Sequence, residues 1–384
     1  MRKHDFVNSL RVFTSRPGSS HIVKAGDHLF ISGLSGRTIT GSWDNLGKVE
    51  EQAKQAFENL AIILEEVGAT SGNIVKLLLY LSHHSSWNPV LSILASCLGP
   101  TLPPVTGIVV EFPDPNQLLE LDVIAFLGPN RAVHTQLSVD APGPRYFDNA
   151  VVADDLVHIG GLTAYGRDEK ISSIDDIRVQ TEAAWNNLQA ICREAGGNLE
   201  DLVKLNIFAT NPNMHDKIVA FRRDTFPHVR PTSSTVFVSF PDPRLFLMLD
   251  GWAYLGKKKP INTHKAFNPG SHGSAQGILL ENGLMPIIGI SARNLDGSYH
   301  GAGNIRDQCM RTMDIIKYIL EEAGATYENV VKLVSYISHP MFAPIVQEVR
   351  SQYLMENRPA LSTVIVRQSS TLILVKTEAW AYLG

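Results

Sequence analysis

The chain of 384 residues lacks most of the features that would settle its class at a glance. It has three cysteines, Cys97, Cys192 and Cys309, far apart and with no CxxC pair. Neither a disulfide framework nor a thiolate zinc site is expected from them, and a reducing, cytoplasmic setting fits. No apolar run reaches the ~18 residues of a membrane-spanning helix. The opening MRKHDFVNSLRVF has no apolar stretch of the kind a secretory leader needs. An excess of one charge is missing too: Lys+Arg 34 against Asp+Glu 38 gives a net charge of -4. That balance argues against a generic nucleic-acid or anionic-membrane surface as partner, though not against a local basic patch. No G-x-x-x-x-G-K-[ST] loop, Rossmann glycine pattern, HxxxH or HExxH spacing is found, so no metal or nucleotide cofactor is expected. What remains is an ordinary composition, 44% hydrophobic and 19% charged, able to bury a sizeable core.

The chain does have an internal repeat. Residues 65–84 read EEVGATSGNIVKLLLYLSHH, residues 193–212 REAGGNLEDLVKLNIFATNP and residues 321–340 EEAGATYENVVKLVSYISHP. The spacing is one third of the chain each time. The copies end alike, in LDVIAFLG, LDGWAYLG and TEAWAYLG. An early glycine-bearing strand recurs as HLFISGLSG, LVHIGGLTA and a degenerate MPIIGISAR, making Gly33, Gly161 and Gly289 equivalent. Three segments sharing one offset predict three units, 1–128, 129–256 and 257–384.

Each unit reads the same way. An amphipathic helix follows the glycine strand. In copy one its apolar stripe is Ala53, Ala56, Phe57, Leu60, Ile63, Leu64 and Val67, at helical spacing, and it repeats in the other copies. Gly68, Gly196 and Gly324 should end the helices in left-handed caps. A β-branched strand, a poorer helix and two closing strands complete the order ββαβαββ, an α+β unit with helices on one sheet face. In the last strand Leu119, Leu121, Val123 and Ala125 form one face, assigned to the helices. Glu120, Asp122, Ile124 and Phe126 form the other. That face recurs as Met248, Asp250, Trp252, Tyr254 and as Lys376, Glu378, Trp380, Tyr382. It carries too many aromatics to be bare. Three such sheets are therefore expected to meet around a closed, barrel-like centre, with helices outside and a cleft between each pair of units. The acids Asp122, Asp250 and Glu378 and the lysines Lys76, Lys204 and Lys332 recur at equivalent positions and would form a structural charge ring.

On these residues, each third resembles the Rid family of reactive-intermediate deaminases, also called YjgF-like or L-PSP endoribonuclease-like proteins. The features that carry the resemblance are FISG/HIGG, the AGAT…VVKL run, the Pro-x-x-[ST] turn before the penultimate strand and the final LD-x-x-A strand. The resemblance implies chorismate-mutase-like α+β units and ligand clefts between subunits of a trimer. Here the trimer would be one chain, linked by Pro142-Gly143-Pro144 and by residues 257–260, Lys-Lys-Lys-Pro. It also implies an Arg in the Pro-x-x-[ST] turn to clamp a substrate carboxylate, a position filled here by Val105, Ser233 and Leu361. The family's catalytic Glu falls on Glu120, Met248 and Lys376, and a family Tyr on Ser19, Phe147 and Ala275.

The implied chemistry is hydrolytic deamination of an imine or enamine, with Glu120 handling the proton of water. Lys376 is the rival catalytic group in copy three, as base, Schiff-base former or anion contact. A missing clamp, with Val105, Met248 and Leu361 around it, suggests a larger and less polar substrate. Arg37 and Arg293 after the glycine strands are candidate anion contacts, and Phe147, Trp252 and Trp380 candidate cleft walls. A repurposed cyclase or isomerase of secondary metabolism, and a non-catalytic binding or scaffold protein, are the alternatives. The surfaces that would make a trimer are expected to be satisfied within the chain. Light scattering should therefore give the 42.2 kDa of a single chain; a threefold larger mass would show that they are not.

Overall fold

The structure is a computed structural model that describes residues 4–14, 18–99, 102–134, 149–166, 170–225, 230–268 and 274–384. The first unit contains β1 (His4–Val7), β2 (Ile22–Ala25), β3 (His28–Ile31), α1 (Val49–Glu65), β4 (Ile74–Leu81), α2 (Trp87–Leu98), β5 (Val105–Val109) and β6 (Leu119–Phe126). The second repeats the order with β7 (Asn130–Val133), β8 (Ala150–Ala153), β9 (Leu156–Leu162), α3 (Ile177–Glu194), β10 (Leu202–Ala209), α4 (His215–Thr225), β11 (Thr232–Phe237) and β12 (Leu247–Tyr254). The third has β13 (Lys258–Ile261), β14 (Gly277–Leu280), β15 (Leu284–Ser291), α5 (Ile305–Glu322), β16 (Val330–Ile337), α6 (Ala343–Leu354), β17 (Ala360–Ile365) and β18 (Val375–Tyr382). Each unit folds into one six-stranded sheet, in the first with the order β1-β2-β3-β6-β4-β5. Among the described residues, only the pair flanking the second helix of each unit is parallel, as a helical crossover requires. No helix among the described residues is long and apolar enough to cross a membrane.

The structure corrects two expectations. The order is βββαβαββ rather than ββαβαββ, because an edge strand precedes the two that were read. HDFV, NRAV and KKPI share no apolar pattern, and a short edge strand needs none. The Lys-Lys-Lys-Pro read as a linker supplies β13, where Pro260 pairs opposite Ile278 on an edge that tolerates a missing N–H. The proposed Pro142-Gly143-Pro144 linker lies outside the described residues. The second correction concerns the centre, which is not a closed barrel. Three separate sheets face one another, with main-chain links between them at the isolated bridges Val109–Ser239, Glu111–Ile365 and Phe237–Arg367 and at Gly33–Leu361. The units meet mainly through side chains, so hydrogen bonding need not run continuously around the axis.

The helix assignments follow the sequence pattern. The α1 stripe packs on Leu119, Leu121, Val123 and Ala125 in one apolar core. Gly68, Gly196 and Gly324 take φ values of +71°, +100° and +74° at the helix ends. Two further apolar clusters draw residues from all three units. One holds Phe30, Ile124, Trp252 and Trp380, the other Tyr80, Phe208, Tyr336 and Met248.

Between these two layers runs the charge ring. Lys76 pairs with Asp250, Lys204 with Glu378 and Lys332 with Asp122, each at 2.8 Å, so every unit gives its ammonium to the next. The same lysines donate to main-chain oxygens across the junction: Lys76 to Ile159, Lys204 to Ile287 at 3.4 Å and Lys332 to Ile31 at 2.7 Å. Each acid also accepts from a hydroxyl of a neighbouring unit: Asp250 from Thr106, Glu378 from Ser234 at 2.5 Å and Asp122 from Ser362 at 2.7 Å. All six charged side chains are buried. Removing one partner strands the other in a dry interior, at a cost of about 3–5 kcal/mol. Lys204→Met should therefore lower the midpoint of urea unfolding, and Lys204→Met with Glu378→Leu should recover most of the loss. An unchanged midpoint in the single variant would show that the ring does not hold the units together.

Candidate functional site

The three equivalent glycines lie where neighbouring units touch. A Cβ at Gly33 would collide with the Glu120 carboxylate, one at Gly161 would lie 2.7 Å from Met248 Sδ, and one at Gly289 3.2 Å from Lys376 Cδ. The glycine is thus needed for close approach. It makes room for the side chain that enters the junction from the last strand of the same unit. Backbone pairing completes the junction: the Gly33 N–H donates to Leu361 O at 3.0 Å, and Ser32 Oγ accepts from Leu361 N at 2.9 Å.

A cavity of about 560 Å³ opens between units 3 and 1. Its wall includes Phe13, Leu34, Gly33, Gln117, Leu361 and Arg350. Glu120 is fully buried beside it, accepting from Gln117 Nε2 at 2.9 Å and lying against Gly33. Leu361 leaves the Pro-x-x-[ST] turn without a cation, as the sequence reads. A guanidinium reaches the cavity wall from the second helix. Arg350 on α6 is buried and donates to Ser335 Oγ at 3.1 Å and Thr363 Oγ1 at 3.2 Å. Arg37 also lines this cavity, but its charge is engaged. It pairs with Asp114 at 2.5 Å and stacks 4.6 Å from the Trp43 ring.

A smaller cavity, about 120 Å³, lies between units 2 and 3. Lys376, Ser233, Arg293, His215 and Arg222 line it. Arg222 occupies on α4 the place that Arg350 has on α6, and donates to Ser233 Oγ at 2.7 Å. Burial pulls its guanidinium down to about 10. Lys376 donates to Thr235 O at 2.5 Å. Burial lowers its ammonium to about 8, with Arg293 and Arg222 pushing the same way against the pull of Glu378.

At the junction of units 1 and 2 the corresponding helix residues are Leu94 and Trp87. Leu94 replaces the arginine, and the Trp87 ring lies on Gly107, overlapping the place where its Cβ would be. The equivalents of Trp87 are His215 and Ala343, so the residue that fills space here is smallest beside the larger of these two cavities. Val105 lies against Gly160, and Met248 joins the inter-unit apolar cluster. Trp252 and Trp380 stand away from both cavities, in the central core. Their rings meet edge to face at 5.3 Å, and Lys76 lies 4.4 Å over Trp252. Phe147 lies outside the described residues.

Reading the sequence did not single out Arg222 and Arg350. The available signal was the repeat itself. Two arginines and a leucine share one position of the second helix, on a stripe otherwise held by Val90, Ile218 and Val346. A cation retained on a buried stripe is seldom structural filler.

Comparison with known proteins agrees with this architecture. The Endoribonuclease L-PSP family profile matches three times, over residues 13–127, 138–245 and 273–383. A RutC family protein of Pyrococcus abyssi is 39% identical over 80 residues, 21% of this chain and 63% of that protein; this alignment thus spans less than two thirds of the relative. A 2-iminobutanoate/2-iminopropanoate deaminase of Dermatophagoides farinae is 27% identical over 113 residues, 29% of this chain and 87% of the deaminase. A chorismatase crystal structure shares the fold across 91% of this chain and 99% of its own, with a TM-score of 0.59 at 13% identity. The chain therefore belongs to the L-PSP endoribonuclease family, the Rid or YjgF-like proteins, with three copies of the family's unit in one polypeptide.

Proposed function

We propose that the cleft between units 3 and 1 hydrolyses a C=N bond in an anionic small molecule. The observation that carries this reading is a buried guanidinium in the cavity wall, Arg350 from α6 of unit 3, with a buried carboxylate, Glu120 from β6 of unit 1, directly behind the wall residues Gly33 and Gln117. Arg350 binds the substrate's carboxylate or another planar anion through its fork of donors. Glu120 takes a proton from water as the oxygen adds to the imine carbon. Glu120 hands that proton to the nitrogen, giving the carbinolamine, and transfer of the hydroxyl proton to nitrogen then expels ammonia and leaves a carbonyl compound. Gln117 holds Glu120 in place, and Gly33 gives it access to the junction. The deaminase relative supports the reaction class, since its name specifies imino acids as substrates. A cavity of about 560 Å³ with Phe13, Leu34 and Leu361 in its wall suits a larger and less polar body than either of those.

Glu120→Gln keeps the shape and removes the base. It should lower kcat by about 10²–10⁴ on an imine generated in situ, with the fold unchanged by circular dichroism. Arg350→Gln should raise KM by about tenfold or more, because a charge-assisted hydrogen bond contributes about 1.5–3 kcal/mol. Met248→Leu, near volume-conserving at another junction, should leave the rate within a few-fold. If Lys376→Met abolishes turnover while Glu120→Gln leaves it intact, the working cleft is the one between units 2 and 3, and Glu120 does not activate the water.

A further inference from the structure

Inside the charge ring lies a small cavity that is part of neither cleft. It measures about 30 Å³, and Lys332, Asp122, Glu378 and Asn206 line it beside the rings of Trp252 and Trp380. Asn206, on β10, is the odd member. Its position holds Leu78 in unit 1 and Val334 in unit 3, both in the same wall. An amide is costly in so dry a place unless its polar atoms are bonded. Asn206 is only 3% exposed, and its Nδ2 lies 3.5 Å from Asp250 Oδ1. That carboxylate fixes the amide's orientation, because turning it over would set oxygen against oxygen. The amide oxygen, Oδ1, accepts no hydrogen bond from any described residue. Lys332, on β16, has the complementary deficit. An ammonium carries three donors. Among the described residues Lys332 gives one to Asp122 Oδ1 at 2.8 Å and one to Ile31 O at 2.7 Å, so a third is left.

We propose that this cavity is a solvent site, where an ordered water joins Asn206 of unit 2 to Lys332 of unit 3. The water accepts the third N–H of Lys332 and donates to Asn206 Oδ1. Its second proton goes to a carboxylate oxygen of Asp122 or Glu378, each of which has lone pairs to spare. That makes three bonds, the usual number for a buried water. A cavity of about 30 Å³ exceeds the ~10–15 Å³ that one water needs and admits little more. Charge argues against an ion in its place. The three ammoniums and three carboxylates of the ring pair one to one, and a further charge would stand unpaired in a low-dielectric interior. Only one of the three equivalent positions can support the site, since Leu78 and Val334 offer a water nothing. It adds a directional contact between units 2 and 3 that the ring alone does not supply. Neither cleft takes part, so the site stands whatever reaction the unit 3–1 cleft performs.

The test compares the full chain with Asn206→Leu, which installs the residue that unit 1 carries. Crystal structures at a resolution that shows ordered solvent should have a water peak within hydrogen-bond distance of Asn206 Oδ1 and Lys332 Nζ in the parent. The peak should be lost in Asn206→Leu. In solution, deuteron relaxation dispersion should show the loss of a long-lived internal water in the variant. A parent cavity without a peak overturns the proposal. So does a peak with the anomalous scattering of potassium or chloride, a peak that persists in Asn206→Leu, or a dispersion amplitude that the substitution leaves unchanged. If Asn206→Leu fails to fold, the parent crystal structure decides the outcome alone.

Discussion

Three lysine–carboxylate pairs at the centre of the molecule set the terms for everything around them. Each links one unit to the next, so the three sheets are locked in a single rotational order. Apolar layers on either side would tolerate a sliding or rotated arrangement, because burial is not directional. A buried ion pair with a hydroxyl and a main-chain oxygen attached is directional, and unpaired it is costly. The ring therefore selects the geometry, while the apolar layers with Phe30, Trp252 and Trp380 on one side and Tyr80, Phe208 and Tyr336 on the other supply most of the buried area.

The same arrangement creates the clefts. Bringing sheets together at the ring forces the glycine strand of one unit against the penultimate strand of another. Gly33, Gly161 and Gly289 permit that approach, and each leaves a space which residue 120, 248 or 376 enters. A carboxylate, a thioether and an ammonium in these three places cannot share one mechanism. In a trimer of identical chains the three would have to match. In one polypeptide they are free to differ, and so are Leu94, Arg222 and Arg350 one layer out. The result is one cleft with an acid and a guanidinium, one with only cations among its described charged residues, and one junction with Trp87 on Gly107.

Much of this was legible in the chain. The repeat, the amphipathic helices, the cap glycines, the helix-facing stripe of the last strand and the pairing of recurrent lysines with recurrent acids all follow from local spacing. A period of 3.6 or 2 reports which side of an element is buried whatever lies opposite. The edge strands were not legible, because HDFV, NRAV and KKPI carry no period at all. Nor were the roles of Trp252 and Trp380: alternation places them on the inner face, but cannot say whether that face meets solvent, substrate or another tryptophan.

By itself, then, the sequence determined three α+β units, their family and the residues that would meet at the axis, since these depend on patterns within one unit. The tertiary structure alone decided that the sheets remain open rather than closing into a barrel, and that Arg350 and Arg222 of the second helices line the same cavities as Leu361 and Ser233. It also decided that the three junctions differ in size and charge. These outcomes depend on side chains from two different units occupying one space, and no periodicity along a single chain encodes that distance.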